Sequence, residues 1–346
     1  MFVLNNHRYF KHEGIKYHLI YSSIHSPEDV VEGYVKDFEK DGDKAMFIPK
    51  GNGLMKFARG LYQYLRNEKI DVLHVHGSSS AILIEMIVAK FAGVKKIVTH
   101  SHNTRGNHNT IHKILRPVVN CLADEKLACG EMAGRWMYGK HGKFLIIPNC
   151  IDTEIYKFDE NIRNEVRKEL GINEDVFVIG HVGVFSDVKN QRFLIHLIDR
   201  MKQHEKHVFT LVLIGLGGLK EQEEQEANSL GLSENVMFLG NRNDVNRIMM
   251  AMDVFCLPSL YEGFPIVSVE AQVSGLPTLL SRAISPEVCI TDLVTLLPIE
   301  EAELWEQALE KMCLNRGKRD VYAKKIKNAG YDIRHSASML EDVYKR

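Results

Sequence analysis

Residues 253–270 read Asp253-Val254-Phe255-Cys256-Leu257-Pro258-Ser259-Leu260-Tyr261-Glu262-Gly263-Phe264-Pro265-Ile266-Val267-Ser268-Val269-Glu270. The run that ends at Pro258 is short and apolar, which predicts a buried parallel strand rather than a helix. A turn follows from Leu260 to Phe264. A helix is then predicted with Pro265 as its first residue, because an N–H in that position would have no partner within the helix. Strand, turn and helix in this order predict an open α/β sheet.

Two carboxylates lie on either side of the predicted helix start. Glu262 is in the turn. At a rise of about 1.5 Å per residue, Glu270 lies on the order of 7 Å along the axis from the start of the helix. The free N–H groups and the dipole at a helix start favour a phosphate. This order of groups matches a sugar nucleotide. One carboxylate would meet the sugar hydroxyls, the helix start would meet the diphosphate, and the other carboxylate would meet the ribose hydroxyls. Solvated surface glutamates are the alternative, and the flanking Gly263, Pro265 and strand count against it.

The segment from Glu262 to Glu270 resembles the E-x7-E motif of retaining glycosyltransferases with the GT-B fold. Its surroundings, residues 253–277, resemble capsular and exopolysaccharide transferases of bacteria, and the resemblance extends over nearly the whole chain. It implies that Glu262 contacts hydroxyls of the transferred sugar and that the amides between Gly263 and Ile266 hold the diphosphate. It also implies that Glu270 accepts hydrogen bonds from the ribose.

The chain has 346 residues, which exceeds a single ordinary core and predicts two domains. Short β-rich runs alternate with helical patterns, as in parallel α/β domains. A turn-rich passage at 148–152 marks the boundary. We expect a Rossmann-like acceptor domain over 1–150, a Rossmann-like donor domain over 151–330, and a last helix in 331–346 that packs back on the first domain. The resemblance implies that the two domains face each other across a cleft.

Each half has its own series of strands. In the first half the predicted strands are Tyr17–Tyr21, Ala45–Ile48, Val72–Val75, Ile97–His100, Lys126–Cys129 and Phe144–Ile147. In the second half they are Val176–His181, Phe209–Ile214, Val236–Leu239, Val254–Leu257, Thr278–Leu280 and Thr295–Leu297. Predicted helices include Leu54–Asn67, Ile111–Leu122 and a polar one from Asn161 to Leu170.

Residues that follow strands are candidates for ligand binding, since ligands of open α/β sheets bind beyond the carboxyl ends of strands. Gly183 and Lys189 lie between a predicted strand and a helix, where Lys189 can meet a diphosphate. The resemblance supports this role, although relatives commonly carry an arginine where this chain has Val184. By the same resemblance Arg242 flanks the nucleobase. An exposed surface role is the alternative for both basic residues.

Two H-x-H pairs occur in the first half, His74 with His76 and His100 with His102. The side chains of each pair face one side of an extended strand. The resemblance implies a histidine at the end of the strand that carries His100 and His102, facing the donor sugar. We favour His102 because its T-x-x-H spacing from Thr99 fits better, and we keep His100 as the alternative. Neither pair has a cysteine or carboxylate at ligand spacing, so no metal is expected, and His74 and His76 are expected to be core or supporting residues.

The chain is nearly neutral overall, with 44 basic and 45 acidic residues. The segment from Lys90 to Arg116, however, contains no acidic residue, and it predicts peripheral contact with an anionic membrane or a polyprenyl diphosphate acceptor. Nucleic acid is disfavoured because aromatic residues are not interleaved with these charges. Six cysteines without C-x-x-C spacing predict reduced thiols and a cytoplasmic protein. Together with the basic segment, this predicts a location at the inner face of the membrane.

The segment from Met1 to Asn6 resembles the end of a helix that relatives place after a first strand and a glycine-rich loop. The loss of that central strand predicts a gap in the first sheet with unpaired backbone groups. The coding region is then expected to begin upstream of Met1, or the protein is an inactive relative.

Taken together, the sequence predicts a retaining hexosyltransferase for surface polysaccharide synthesis. It would use a nucleoside diphosphate sugar and no cofactor. A GT-B-type sugar-nucleotide epimerase and a non-catalytic sugar-nucleotide-binding protein are the alternatives.

Overall fold

The computed structural model describes residues 2–22, 28–40, 42–51, 53–77, 79–102, 109–203, 208–314 and 317–346. The chain divides into two compact units. Unit 1 comprises Met1–Asn149 and Ile333–Arg346, and unit 2 comprises Cys150–Asp332. Each unit is an α/β structure built on parallel strands, so the predicted fold class is confirmed.

The strands of unit 1 form two separate parallel sheets. Among the described residues, β1 pairs with β2 in one sheet, and the other has the order β3-β4-β5-β6. The strands are β1 (His18–Tyr21), β2 (Lys44–Phe47), β3 (Val72–Gly77), β4 (Lys96–Ser101), β5 (Glu125–Ala128) and β6 (Leu145–Ile146). In β3 and β4, His76 lies opposite His100.

A cavity of about 810 Å³ separates the two sheets of unit 1. Its lining includes Leu19 and Ile20 of β1 together with Val75 and His76 of β3. In the described part of the chain β1 pairs with β2 alone and β3 with β4 alone, so each strand presents one edge without a partner.

Helices cover the sheets of unit 1. Before the boundary the described residues form α1 (Phe2–His7), α2 (Glu28–Glu39), α3 (Leu54–Asn67), α4 (Leu83–Ala92), α5 (Asn109–Leu122) and α6 (Glu131–Tyr138). The amphipathic α3 has the predicted bounds and buries Phe57, Leu61 and Leu65, which recur at helical spacing.

Unit 2 is a doubly wound sheet with the strand order β12-β11-β10-β7-β8-β9 in its described residues. The strands are β7 (Phe177–Val182), β8 (Phe209–Ile214), β9 (Val236–Gly240), β10 (Val254–Leu257), β11 (Thr278–Ser281) and β12 (Val294–Leu297). The helices are α7 (Glu160–Glu169), α8 (Gln191–Lys202), α9 (Lys220–Ser229), α10 (Val245–Ala251), α11 (Ile266–Val273), α12 (Ala302–Leu314) and α13 (Tyr322–Asn328).

Successive residues of the central strands of unit 2 enter different cores, because side chains alternate across a sheet. Phe177 and Leu211 pack with Trp305 of α12 on one face, whereas Val178 and Val212 pack with residues of α10 and α11 on the other. Both faces are therefore covered, which explains why these strands are continuously apolar in sequence.

The last helix, α14 (Ile333–Lys345), belongs to unit 1 and packs against α1. Leu340 and Val343 enter a small core with Val98 of β4 and Leu127 of β5. The hydroxyl of Ser336 donates to Asn6 at 2.6 Å. Throughout the described residues, every helix is too short or too polar to cross a membrane.

Candidate functional site

The loops at the carboxyl ends of the central strands of unit 2 pack closely on one another. The amide of Gly183, after β7, donates to Ile214 of β8 at 2.9 Å, and the amide of Gly215 donates to Gly240 of β9 at 2.8 Å. Gly215 has a φ of 146°, and a Cβ there would lie 2.0 Å from the Gly183 carbonyl oxygen. Only glycine allows this approach, and it holds the loop that carries Lys189 against the sheet.

Lys189 and Glu262 form the central contact of this edge of the sheet. The Lys189 Nζ lies 2.5 Å from the Glu262 Oε1, and Ser259 Oγ donates to the same oxygen at 2.7 Å. Both members of the ion pair are mostly covered, with 21% and 15% of their side chains exposed. The backbone of the two loops is also joined, since the Leu260 amide donates to Val188 at 2.8 Å. The two sequence candidates are thus brought together.

The start of α11 differs from the prediction at one residue. Pro265 has a ψ of 110° and stands just before the helix, which begins at Ile266. The prediction that Pro265 is the first helical residue is therefore wrong. Pro265 is the N-cap: its backbone is extended, and its carbonyl accepts the Ser268 amide at 3.1 Å. The Phe264 ring stacks on Tyr331 and faces the core, so only backbone groups from Gly263 to Ile266 remain for an anion.

Glu270 is a half-buried carboxyl whose hydroxyl partner is Tyr156. The partial burial raises its pKa to about 7, while the hydrogen bond from Tyr156 favours the ionised form. Tyr156 is also half-buried, and this burial, followed by the Glu270 charge, raises the pKa of its hydroxyl. Glu270 is therefore not a solvated helix residue, and near neutral pH both its charged and uncharged forms are populated.

His181, the penultimate residue of β7, lies beside this loop and was not among the sequence candidates. Its Nδ1 is 2.9 Å from the Cys256 carbonyl, whereas its Nε2 is buried and has no hydrogen-bond partner in the described residues. A Cβ added at Gly183 would lie 3.1 Å from that Nε2. Burial lowers the pKa of His181 to about 4, and the Lys189 charge acts in the same direction.

Arg242 follows β9 and is engaged by a carboxylate. Its Nε and Nη2 each donate to Asp244 at 2.8 Å, in a bidentate pair. These hydrogen bonds raise the pKa of Arg242. The guanidinium plane is held at the rim of the sheet, where it can frame a flat ring, but its charge is already partnered.

His102 lies in unit 1, directly after β4, and is part of a histidine group. Its Nε2 is 2.8 Å from the His76 Nδ1, and its ring stacks at 4.3 Å on His100. Burial lowers the pKa of His102 to about 4, and burial likewise lowers that of His100 well below its usual range. These rings are therefore neutral at physiological pH. A neutral imidazole can form hydrogen bonds with sugar hydroxyls or coordinate a metal ion.

The basic segment from Lys90 to Arg116 is less positive in the fold than in sequence. Lys90 pairs with Asp124 at 3.3 Å and Lys95 with Asp71 at 2.7 Å, while Lys96 donates to the Val343 carbonyl at 2.6 Å. Lys113 on α5 is exposed. Arg105 lies outside the described residues.

Sequence reasoning missed Ser259, Tyr156 and His181. Ser259 stands three residues before Glu262 in the turn, and His181 stands at a strand end, so both had a positional signal. Tyr156 had none, because it meets Glu270 only through the packing of the segment before α7 on α11.

Comparisons with known proteins agree with this architecture. A family model described as Glycosyltransferase Family 4 matches residues 1–155, and one described as Glycosyl transferases group 1 matches residues 162–329. EpsF of Bacillus subtilis (strain 168), a protein named as a glycosyltransferase, is 32% identical over 319 residues that span 88% of this chain and 83% of EpsF. The chain belongs to the group 1 glycosyltransferase family.

Two further proteins are similar. The UDP-Gal:alpha-D-GlcNAc-diphosphoundecaprenol alpha-1,3-galactosyltransferase of Escherichia coli is 30% identical over 272 residues, which span 72% of this chain and 69% of that enzyme. The crystal structure of HepE (Alr3699) of Anabaena in complex with UDP superposes with a TM-score of 0.76, covering 96% of this chain and 100% of HepE at 19% identity. The HepE likeness shows the GT-B fold alone. The sequence relatives confirm the glycosyltransferase family and its link to polysaccharide biosynthesis, whereas retention and the role of the E-x7-E motif stay predictions.

Proposed function

We propose that this protein transfers a sugar, with retention of anomeric configuration, from a UDP-sugar to a lipid-linked glycan acceptor in the synthesis of a surface polysaccharide. The contact between Lys189 and Glu262 carries the proposal. It sets a cation and a carboxylate side by side at the carboxyl edge of the unit 2 sheet, next to the start of α11. A nucleoside diphosphate sugar presents an anion and hydroxyl groups in the same order.

In the proposed complex the diphosphate lies at the start of α11, where backbone N–H groups between Gly263 and Ile266 are free of helical partners. Lys189 turns from Glu262 to the diphosphate and stabilises the charge that develops as the glycosidic bond breaks. Glu262 keeps its hydrogen bond from Ser259 and accepts hydroxyls of the sugar. Glu270 accepts the ribose hydroxyls, and Arg242 frames the base.

Retention is proposed to result from front-face attack, in which the acceptor hydroxyl approaches the sugar from the same face that the diphosphate leaves. In the proposed complex Glu262 keeps the hydrogen bond from Ser259 and accepts sugar hydroxyls, which suits a hydrogen-bond acceptor better than a covalent nucleophile. Stabilisation of the departing diphosphate by Lys189 and the helix start would then lower the barrier without a metal. In unit 1, His102 is proposed as the histidine that contacts the donor sugar or the departing phosphate.

The choice of UDP rests on the galactosyltransferase of Escherichia coli, whose name gives UDP-Gal as its donor. The choice of acceptor rests on the galactosyltransferase of Escherichia coli, whose acceptor is a GlcNAc-diphosphoundecaprenol. Both are carried over to this chain as proposals.

We further propose that unit 1 contacts the cytoplasmic leaflet through α5 and α4. Ile111, Ile114 and Val118 are exposed along one side of α5, and Phe91 at the end of α4 is 76% exposed. Exposed Lys113 lies among the apolar residues of α5. An apolar row with a basic neighbour is typical of a helix that lies in the membrane interface.

The proposed function is tested in two steps. Thermal unfolding is measured with UDP, GDP and ADP sugars, and UDP at about a hundredfold excess over its Kd should raise the unfolding midpoint by roughly 5 °C or more. The selected UDP-sugar is then incubated with a short-chain polyprenyl diphosphate–GlcNAc. The product is detected by mass spectrometry, and its new anomeric centre is assigned by NMR.

Each outcome separates the candidate functions. A glycolipid that forms only in the presence of acceptor supports transfer, and an anomeric centre unchanged from the donor supports retention. A new sugar nucleotide formed without acceptor would support the epimerase instead. Binding without turnover would support a non-catalytic sugar-nucleotide-binding protein, and the absence of a shift with any nucleotide would contradict the site.

A further inference from the structure

Four histidines of unit 1 meet on one face of the larger sheet. His74 and His76 lie on β3, and His100 and His102 lie on and directly after β4. Because β3 and β4 are parallel and place His76 opposite His100, the two H-x-H pairs become neighbours. The ring centroids of His74 and His76 are 4.1 Å apart, and that of His100 is 5.4 Å from both.

The nitrogens of these rings divide into two groups. The outer nitrogens are those with a hydrogen-bond partner outside the group of His74, His76 and His100. His74 Nδ1 is 2.7 Å from the Tyr344 hydroxyl, and His76 Nδ1 is 2.8 Å from His102 Nε2. On the inside, His74 Nε2 is buried without a hydrogen bond to any described residue. His100 is fully buried, and neither of its nitrogens has a hydrogen bond of full geometry to a described residue, although the Ile147 backbone interacts with the ring. One nitrogen from each of His74, His76 and His100 lies within 4.8 Å of the other two.

Buried polar atoms without partners are rare in folded proteins, and each calls for an explanation. Hydrogen bonds from the outer nitrogens fix the rings and leave the inner nitrogens as ligands, as is usual for metal-binding histidines. Zinc–nitrogen bonds of about 2.0–2.1 Å in a tetrahedral site place the nitrogens roughly 3.3 Å apart. A small rotation of the rings therefore closes the observed spacing.

A second group in unit 1 gives a useful contrast. His7 Nε2 lies 2.6 Å from Asp43 Oδ2, His12 Nδ1 lies 3.5 Å from the same oxygen, and the Tyr17 amide donates to the other oxygen at 2.8 Å. The polar atoms there already contact one another. Among the described residues, no carboxylate pairs with His74, His76 or His100 in the same way.

We propose that His74, His76 and His100 bind one divalent transition-metal ion, with zinc as the first candidate. Three imidazoles leave a fourth coordination position, which an oxygen of solvent or of a ligand can fill. His74 and His76 also line the 810 Å³ cavity of unit 1, which gives the ion a way in. The ion fixes His76, whose Nδ1 lies 2.8 Å from His102 Nε2. Metal binding itself does not depend on the proposed donor site in unit 2, so the two proposals fail separately.

The experiment uses the full chain expressed without a polyhistidine tag. The protein is treated with a chelator, desalted and titrated with Zn²⁺ and with Co²⁺. We expect one equivalent of either ion, a rise in the unfolding temperature, and for Co²⁺ the intense visible absorption of a tetrahedral site. His74→Gln and His100→Gln should each weaken binding roughly a hundredfold or more, and Tyr344→Phe about tenfold, because it removes only the bond that orients His74.

His18→Gln is the matched control. His18 lines the same cavity and its Nδ1 lies 2.9 Å from the Tyr64 hydroxyl, yet it lies outside the cluster, so its loss should leave metal binding unchanged. The far-ultraviolet circular dichroism of every variant is compared with that of the parent. The proposal is overturned if the chelator-treated parent protein binds no stoichiometric ion in the titration. It is equally overturned if folded His74→Gln and His100→Gln bind the ion as tightly as His18→Gln.

Discussion

Lys189 and Glu262, which are 73 residues apart in sequence, meet through a 2.5 Å contact at the carboxyl edge of the unit 2 sheet. The contact exists because β7 and β10 are neighbours in the sheet, so the loops that follow them share one edge. In the proposed mechanism each partner has its own ligand, the diphosphate for Lys189 and the sugar for Glu262. Substitution of the two residues should therefore have different consequences.

Lys189→Gln should weaken the binding of a UDP-sugar roughly ten- to a hundredfold, because a charge-assisted hydrogen bond contributes about 1.5–3 kcal/mol. Isothermal titration calorimetry measures the change. Lys325→Gln is the control, since Lys325 also pairs with a carboxylate in unit 2, at 2.9 Å from Asp292, but on α13. Equal loss in both variants would contradict a specific contact with the diphosphate.

Glu262→Gln should lower kcat about a hundredfold while the Kd for UDP stays the same or falls. UDP carries no transferred sugar, and the substitution removes the carboxylate that competes for Lys189. Steady-state kinetics and calorimetry together separate the two effects. Glu234→Gln, an exposed change at the opposite end of β9, should alter neither. A parallel loss of UDP affinity and kcat would show that Glu262 acts on the nucleotide instead.

Binding of a UDP-sugar should tighten as the pH rises through 7, because burial places the Glu270 pKa at about 7 and the ionised carboxylate is the better acceptor for ribose hydroxyls. The ionised fraction grows about tenfold between pH 6 and 8, so affinity should rise by up to that factor. Calorimetry at several pH values gives the slope. Glu270→Gln should remove it, and an unchanged slope in that variant would assign the pH dependence to another group.

Ile114→Glu should reduce binding to vesicles that contain anionic lipid by tenfold or more, since burial of an isoleucine side chain contributes about 1.5–3 kcal/mol. The double substitution of Lys113→Glu and Arg116→Glu should also reduce vesicle binding, and the reduction should be larger at low salt than at high salt because salt screens the charges. Cosedimentation measures both effects. Leu314→Glu, a change at a residue of unit 2 that is 72% exposed, is the control. If Ile114→Glu and the charge reversals leave vesicle binding and transfer to a lipid acceptor unchanged, α5 does not contact the membrane.

Asp253→Asn should destabilise unit 2 by about 3–5 kcal/mol, because it leaves buried arginine charges without their counterion. Asp253 accepts hydrogen bonds from Arg163 at 2.7 Å and from Arg167 at 3.2 Å, and both arginines are buried. The free energy of unfolding in urea measures the loss. Asp292→Asn, which breaks the exposed pair with Lys325, should cost no more than about 1 kcal/mol. A comparable cost for the two changes would contradict this account.

The regular elements could be predicted closely from local pattern. Phe209–Ile214, Val254–Leu257 and Leu54–Asn67 have the predicted bounds, because continuous apolar runs and helical spacing reflect burial on two faces or on one. The start of α11 was misplaced by one residue. Proline fits both the last extended position and the first helical one, and sequence does not distinguish them.

The sequence by itself determined the α/β class and the glycosyltransferase family, and it predicts the residues of the proposed donor site, because each depends on local spacing or on a motif. Only the tertiary structure decided which of those residues meet. Strand order joins Lys189 to Glu262, and the packing of α11 covers part of Glu270 beside Tyr156 and so raises its pKa. The register of β3 and β4 converts two unremarkable H-x-H pairs into one cluster of buried histidines. Contacts between residues far apart in the chain depend on the order and register of strands, and no local pattern encodes these.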